Sequence, residues 1–106
     1  MKLNLMITLA LCALSTGASA QVLDQRGRPL DAVPNARTAI AIADAVLSGI
    51  YGADAVREER PLRAKLEHRE WHVQGTLRCA PNCLGGTMFI AIARKDGRVI
   101  TVFRTK

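Results

Sequence analysis

The chain has 106 residues and a formal net charge of +6, from 15 lysine and arginine residues against 9 aspartate and glutamate residues. This length allows one small domain with a modest core. Basic residues are scattered from Arg26 to Lys106 among acids, and the four aromatic residues are not interleaved with them as a base-stacking platform requires. The composition therefore argues against nucleic acid as a partner and favours an acidic protein surface or the anionic cell envelope.

Residues 1–20 have the pattern of a secretory signal peptide. Lys2 gives a positive start, an apolar run follows to Ser15, and Ala18-Ser19-Ala20 is a small-residue cleavage signal. The apolar run is shorter than the ~20 residues that a membrane-spanning helix needs. We expect cleavage after Ala20, a periplasmic mature protein, and membrane contact only through the transient signal peptide.

The mature chain is predicted to begin with an arm over residues 21–34. Glycine, proline and charged residues alternate there without a sustained period, which indicates a loose segment. Leu30 and Val33 are the side chains expected to dock part of it. The remaining residues, 35–106, are predicted to form the single folded domain.

Asn35 is a good N-cap for a helix that runs through an alanine-rich segment and ends at Gly52. The predicted apolar stripe consists of Ala39, Ile42, Ala43, Val46 and Ile50, widened by Ile40 and Leu47. One or two further helical turns over residues 53–60 are predicted to stop at Pro61. Glu58 and Glu59, which lie between two arginines, are predicted to face solvent.

Two hairpins are predicted after Pro61. Apolar and polar residues alternate from Leu62 to Leu77 around a turn near residues 67–69, and the second strand carries Trp71. Residues 87–94 and 99–104 are rich in apolar and β-branched residues and are joined by a turn that contains Asp96-Gly97. The predicted fold class is therefore α+β, with an N-terminal helix and a short helix packed on a four-stranded antiparallel sheet.

Cys79 and Cys83 enclose three residues, and in an exported protein this arrangement favours a disulfide. Metal binding with His68 and His72 is the alternative. It is disfavoured because these histidines fall on a turn and a strand, and because an oxidising compartment does not favour paired thiolates. The sequence predicts no metal site and no cofactor.

No arrangement of residues indicates catalysis. Ser48 falls on a helix without a nucleophile elbow, and Glu67 and Glu70 fall on an exposed turn. Gly85-Gly86 leads into a strand, so no helix N-terminus is available there to hold a phosphate. The loop that contains the cysteines either binds a partner as a rigid element or only stabilises a small domain.

The order of motifs resembles the immunity-protein family with a nuclear-transport-factor-two-like fold, found in bacterial polymorphic toxin systems. The resemblance is carried by the runs NARTAIAIADAVLSGIYG, RPLRAKLEHREWHVQGTL and GGTMFIAIARKDGRVI, and it covers residues 35–104. It implies a small cone-like fold and a role in interbacterial competition, neutralising a toxin by binding it. It supplies no catalytic residues. The chain departs from the family pattern at residues 78–83, where the paired cysteines lie.

The leading hypothesis is a periplasmic immunity protein that neutralises a cognate secreted toxin acting on the envelope, such as a cell-wall-degrading enzyme. The residues expected to contact the toxin are His72, Gln74, Arg78, Asn82, Leu84 and Arg104. Two alternatives remain open. One is a ligand-binding or enzymatic domain with a pocket lined by His72 and Glu70, and the other is a general periplasmic lysozyme inhibitor. The oligomeric state is not predicted.

Overall fold

The computed structural model describes residues 21–78 and 86–105. The predicted signal peptide and the predicted Cys79–Cys83 disulfide lie outside the described residues. The elements follow in the order β1 (Val22–Leu23), β2 (Pro29–Leu30), α1 (Ala36–Tyr51), α2 (Ala53–Glu58), β3 (Arg63–Glu67), β4 (Glu70–Gln74), β5 (Met88–Ala93) and β6 (Val99–Arg104). The described part of the chain is thus α+β, as predicted.

Helix α1 begins and ends where the sequence predicts. The Asn35 side chain accepts a hydrogen bond from the Thr38 amide at 2.9 Å, and Gly52 follows the last helical residue with a φ of 99°. The buried stripe is centred on Ala39, Ala43 and Leu47, which are all fully buried. The prediction that Ile50 belongs to this stripe is wrong, because its side chain is 55% exposed.

The four long strands form one antiparallel sheet in the order β3-β4-β5-β6. Trp71 and Val73 on β4 lie opposite Ile92 and Ile90 on β5, and all four are buried against the helices. Alternation directs the neighbouring residues of each strand to the other face. The fully buried side chains of largest volume are Leu47, Met88, Ile90, Ile92, Val33, Val56 and Val73.

The N-terminal arm is more ordered than predicted. Strands β1 and β2 pair as a small antiparallel hairpin, and the chain then crosses the end of the main sheet. There the Val33 amide donates to the Arg94 carbonyl at 3.0 Å, and the Trp71 indole N–H donates to the Val33 carbonyl at 2.8 Å. Val33 is fully buried, which confirms its predicted docking, whereas Leu30 is 41% exposed. The hydrogen-bond partners of Val33 are far away in the sequence, so local periodicity could not predict how this segment is held.

The prediction that Glu59 faces solvent is also wrong. Glu59 is only 6% exposed, and its carboxylate accepts the Met88 amide hydrogen at 2.7 Å. A Cβ atom at Gly75 would collide with this carboxylate, so the glycine makes room for it. Glu59 therefore ties the end of α2 to the start of β5, while the neighbouring Glu58 stays exposed.

The fold is that of two helices on one side of a four-stranded antiparallel sheet, consistent with a nuclear-transport-factor-two-like architecture. Among the residues that the structure describes, none of the helices is long and apolar enough to span a bilayer.

Candidate functional site

One face of the main sheet is not covered by any helix or strand of the described chain. Because Trp71, Val73, Ile90 and Ile92 point towards the helices, the residues next to them point away. We call this surface the open face. Its main residues are Lys65 on β3, His72 and Gln74 on β4, Phe89 on β5, and Thr101 and Phe103 on β6.

Three rings lie side by side across the open face. The His72 and Phe89 rings meet edge to face with centroids 5.3 Å apart, and the Phe89 and Phe103 rings stack at 4.7 Å. Phe103 is 45% exposed and Phe89 is partly exposed. Aromatic side chains of this kind bury a large area at a small cost in side-chain entropy, and they are enriched at the centre of protein interfaces.

Polar side chains lie at His72 and beside the aromatic strip. The two His72 ring nitrogens lie 3.2 Å from Glu70 Oε1 and 3.7 Å from Glu67 Oε1. At the other end of β4, the Gln74 amide nitrogen donates to the Thr87 hydroxyl at 2.9 Å. The open face therefore combines an exposed apolar strip with neighbouring polar side chains that are held by hydrogen bonds or ion pairs, a combination found in protein-binding patches.

The structure separates the predicted contact residues into two groups. His72 and Gln74 lie on the open face. Arg78 and Arg104 instead line a cleft of about 260 Å³ at the end of the sheet, together with Glu59. Asn82 and Leu84 lie outside the described residues.

Arg104 has a structural contact that the sequence does not reveal. Its guanidinium lies 3.4 Å from Glu59 Oε2 and 5.8 Å from the centroid of the Tyr51 ring. Arg78 donates from Nε to the Arg60 carbonyl at 2.8 Å. Arg104 thus links β6 to the residue that ends α2, and Arg78 links the segment after β4 to the segment between α2 and β3.

Arg60 sits beside Arg78 on a second cleft of about 540 Å³, which is largely apolar and lies between α1 and the start of β3. Its guanidinium makes two 2.9 Å hydrogen bonds to the carboxylate of Asp44. The hydrogen bonds and charge of Asp44 raise the pKa of Arg60 above its usual value.

Phe89 and Phe103 were not among the residues predicted to contact a partner. The turn at Asp96-Gly97 alone would place Phe89 opposite Val102, and a register shift between Ala91 and Ile92 brings it opposite Phe103 instead. The run from Phe89 to Ala93 is also apolar at every position and does not show which residues face outward. Ala91 and Ala93 are buried on the open face because they are small and lie among larger neighbours.

The structure gives no support to a pocket lined by both His72 and Glu70. A depression of about 210 Å³ between the two hairpin turns includes Glu70, together with His68, Arg69 and Lys95, but it does not include His72. Within residues 21–78 and 86–105, no group of three or more histidine, cysteine, aspartate or glutamate side chains is placed to hold a metal ion.

Comparison with known proteins is consistent with this geometry. The sequence model of a family described as "NTF2 fold immunity protein" matches residues 38–106. The uncharacterized protein YhhH of Escherichia coli strain K12 is 32% identical over 68 residues, which cover 64% of this chain and 53% of YhhH. The chain thus spans about half the length of this curated relative. No solved structure matches the chain significantly. On the strength of the family match, the chain belongs to the NTF2-fold immunity proteins.

Proposed function

We propose that this protein is a periplasmic immunity protein that neutralises a cognate, cell-wall-degrading toxin by covering it with the open face. Membership of the family implies a toxin as partner and a non-enzymatic role. The envelope as the place of action is inferred from the signal-peptide pattern of residues 1–20, since an inhibitor must meet its toxin where the toxin acts.

The observation that carries this proposal is the exposed aromatic strip. A contiguous exposed apolar patch on a soluble protein often marks a site of interaction with another protein. Phe89 and Phe103 lie side by side on β5 and on the edge strand β6, and the charged pair Lys65–Glu67 lies on β3 at the opposite edge of the open face. Burial of a few aromatic anchors inside a polar rim supplies most of the free energy in typical interfaces.

The direct test is a rescue assay with candidate toxins encoded next to this gene. Cells that direct the toxin to the periplasm are expected to survive when the full chain is co-expressed, and to die when the chain lacks residues 1–20. Equal protection by the leaderless chain would place the action inside the cell and contradict the periplasmic part of the proposal.

The interface is tested with a matched pair of substitutions in the mature protein. Phe103→Glu puts a charge in the aromatic strip of the open face, and Ile50→Glu puts the same charge on an exposed position of α1. We expect Phe103→Glu to weaken toxin binding by about 100-fold, which corresponds to the loss of a strong anchor, and Ile50→Glu to change it less than about twofold. Similar affinities for the two variants, with unchanged circular dichroism, would show that the toxin binds elsewhere.

A further inference from the structure

Strand β6 extends beyond the helical layer. Helix α1 packs mainly across β3, β4 and β5, and β6 is the last strand of the sheet. Val99 faces the helical side and Phe103 the open face, yet they are 40% and 45% exposed. Both faces of β6 are therefore open to solvent at apolar positions.

The backbone of β6 also presents free groups along its outer edge. The Thr105 amide donates to the Thr87 carbonyl at 3.0 Å. In an antiparallel pair, residues that bond to the neighbouring strand alternate with residues whose N–H and C=O groups point away from it. Val102 and Arg104 consequently direct their backbone groups outward, where no described strand pairs with them.

The charge along the outer edge of β6 indicates which kind of partner could pair with it. Residues 97–105 contain Arg98 and Arg104 and no acidic residue. The Arg98 and Arg104 side chains remain 56% and 46% exposed, although each contacts one carboxylate within its own chain. A second copy of this protein would bring two more arginines to the same edge, whereas carboxylates would complement it.

We infer that the outer edge of β6 pairs with an extended, acidic segment of the toxin, which adds a fifth strand to the sheet. This inference rests on the proposed function and specifies how the toxin is held. Backbone hydrogen bonds from Val102 and Arg104 give the register, and apolar side chains of the added strand cover Val99 and Phe103. The edge is continuous with the open face, because Phe103 belongs to both.

Amide hydrogen exchange, followed by NMR on the labelled mature protein, tests the pairing. Addition of the toxin identified by the rescue assay should slow exchange at Val102 and Arg104 by about tenfold or more. The amides of Thr101 and Phe103, which point towards β5, serve as internal references. Toxin binding without slower exchange at Val102 and Arg104 would overturn this inference while leaving the proposed function intact.

A proline at an outward position removes one of the proposed hydrogen bonds. Val102→Pro deletes an amide hydrogen that does not contribute to the β5–β6 ladder, and Val102→Thr keeps it in a side chain of similar shape. We expect Val102→Pro to weaken toxin binding by about tenfold and Val102→Thr to have little effect. If the proline variant does not fold, the exchange experiment on the unmodified protein decides the question.

The acidic character of the partner is tested at Thr101, which is exposed on β6. Thr101→Glu should weaken binding, and Thr101→Lys should preserve or strengthen it. The reverse order would overturn the assignment of an acidic segment. Sedimentation of the free protein should show a monomer. A dimer whose Val102 and Arg104 amides are already protected would assign the edge to a second copy instead.

Discussion

The buried carboxylate of Glu59 gives a sharp stability prediction. It accepts the amide hydrogen of Met88, which is a fully buried residue at the start of β5. Substitution of Glu59 by alanine removes this acceptor and leaves the Met88 amide without its side-chain partner. The same substitution also removes the carboxylate that faces Arg104.

The expected loss can be worked out from these two contacts. A hydrogen bond to a charged acceptor contributes about 1.5–3 kcal/mol, and a buried amide without a partner loses the benefit of its hydration as well. The Arg104 contact adds at most about 1 kcal/mol, because that side chain is 46% exposed and the distance is 3.4 Å. We therefore expect Glu59→Ala to lower the free energy of unfolding by about 2–4 kcal/mol, a large part of the stability of a small domain.

Urea unfolding of the mature protein, followed by the fluorescence of its single tryptophan, measures this loss. Glu58→Ala is the matched control, because Glu58 is adjacent and exposed, and it should change stability by less than about 0.5 kcal/mol. Glu59→Gln keeps a neutral acceptor and should fall between the two. If Glu59→Ala and Glu58→Ala have the same midpoint, the carboxylate does not stabilise the fold and the reasoning fails.

Two further predictions concern turns. His68 and Arg69 join β3 to β4 with φ angles of 51° and 67°, so replacing them with Asn and Gly should stabilise the protein by about 1 kcal/mol in thermal unfolding; an unchanged or lower melting temperature would contradict this. A hydrogen bond from the backbone of Arg28 lowers the pKa of Asp24 below its usual 3.8. Partial burial opposes this shift, and the Arg26 amide adds to it. The stability that this carboxylate gives the β1–β2 hairpin is thus complete above pH 3.8. It is lost as the pH falls through the lower pKa that Asp24 has in the folded state. An NMR titration of the Asp24 carboxyl should show this, and a midpoint at or above 3.8 would refute it.

The elements of the fold could be predicted because each is specified by local sequence. Asn35 and Gly52 mark the ends of α1, and the turn at Asp96-Gly97 separates β5 from β6. The predicted bounds of these elements agree with the structure to within a residue or so. Signals of this kind depend on caps, turns and periodicity, all of which act over a few residues.

What could not be predicted depends on contacts between distant residues. In the sequence, Glu59 is part of a charged run. In the fold it is a buried acceptor, because the Met88 amide lies beside it and Gly75 has no side chain to occupy the same space. Ile50 reads as core, but it is 55% exposed, whereas the next residue, Tyr51, packs against the core. Arg104 was predicted to lie at a binding surface. Its contact with Glu59 could not be predicted, because the two residues are far apart in the sequence.

The crossing of the N-terminal arm over the sheet has a consequence for folding. Val33 forms hydrogen bonds with Arg94 and Trp71, so the N-terminal arm at residues 21–34 contacts a turn about sixty positions later in the chain. Such contacts carry a high cost in loop entropy and form late. The first and last parts of the domain therefore become stable together, in one cooperative step. The fraction of molecules with a formed open face should equal the fraction that is fully folded, and a truncated or partly synthesised chain should give no partial protection.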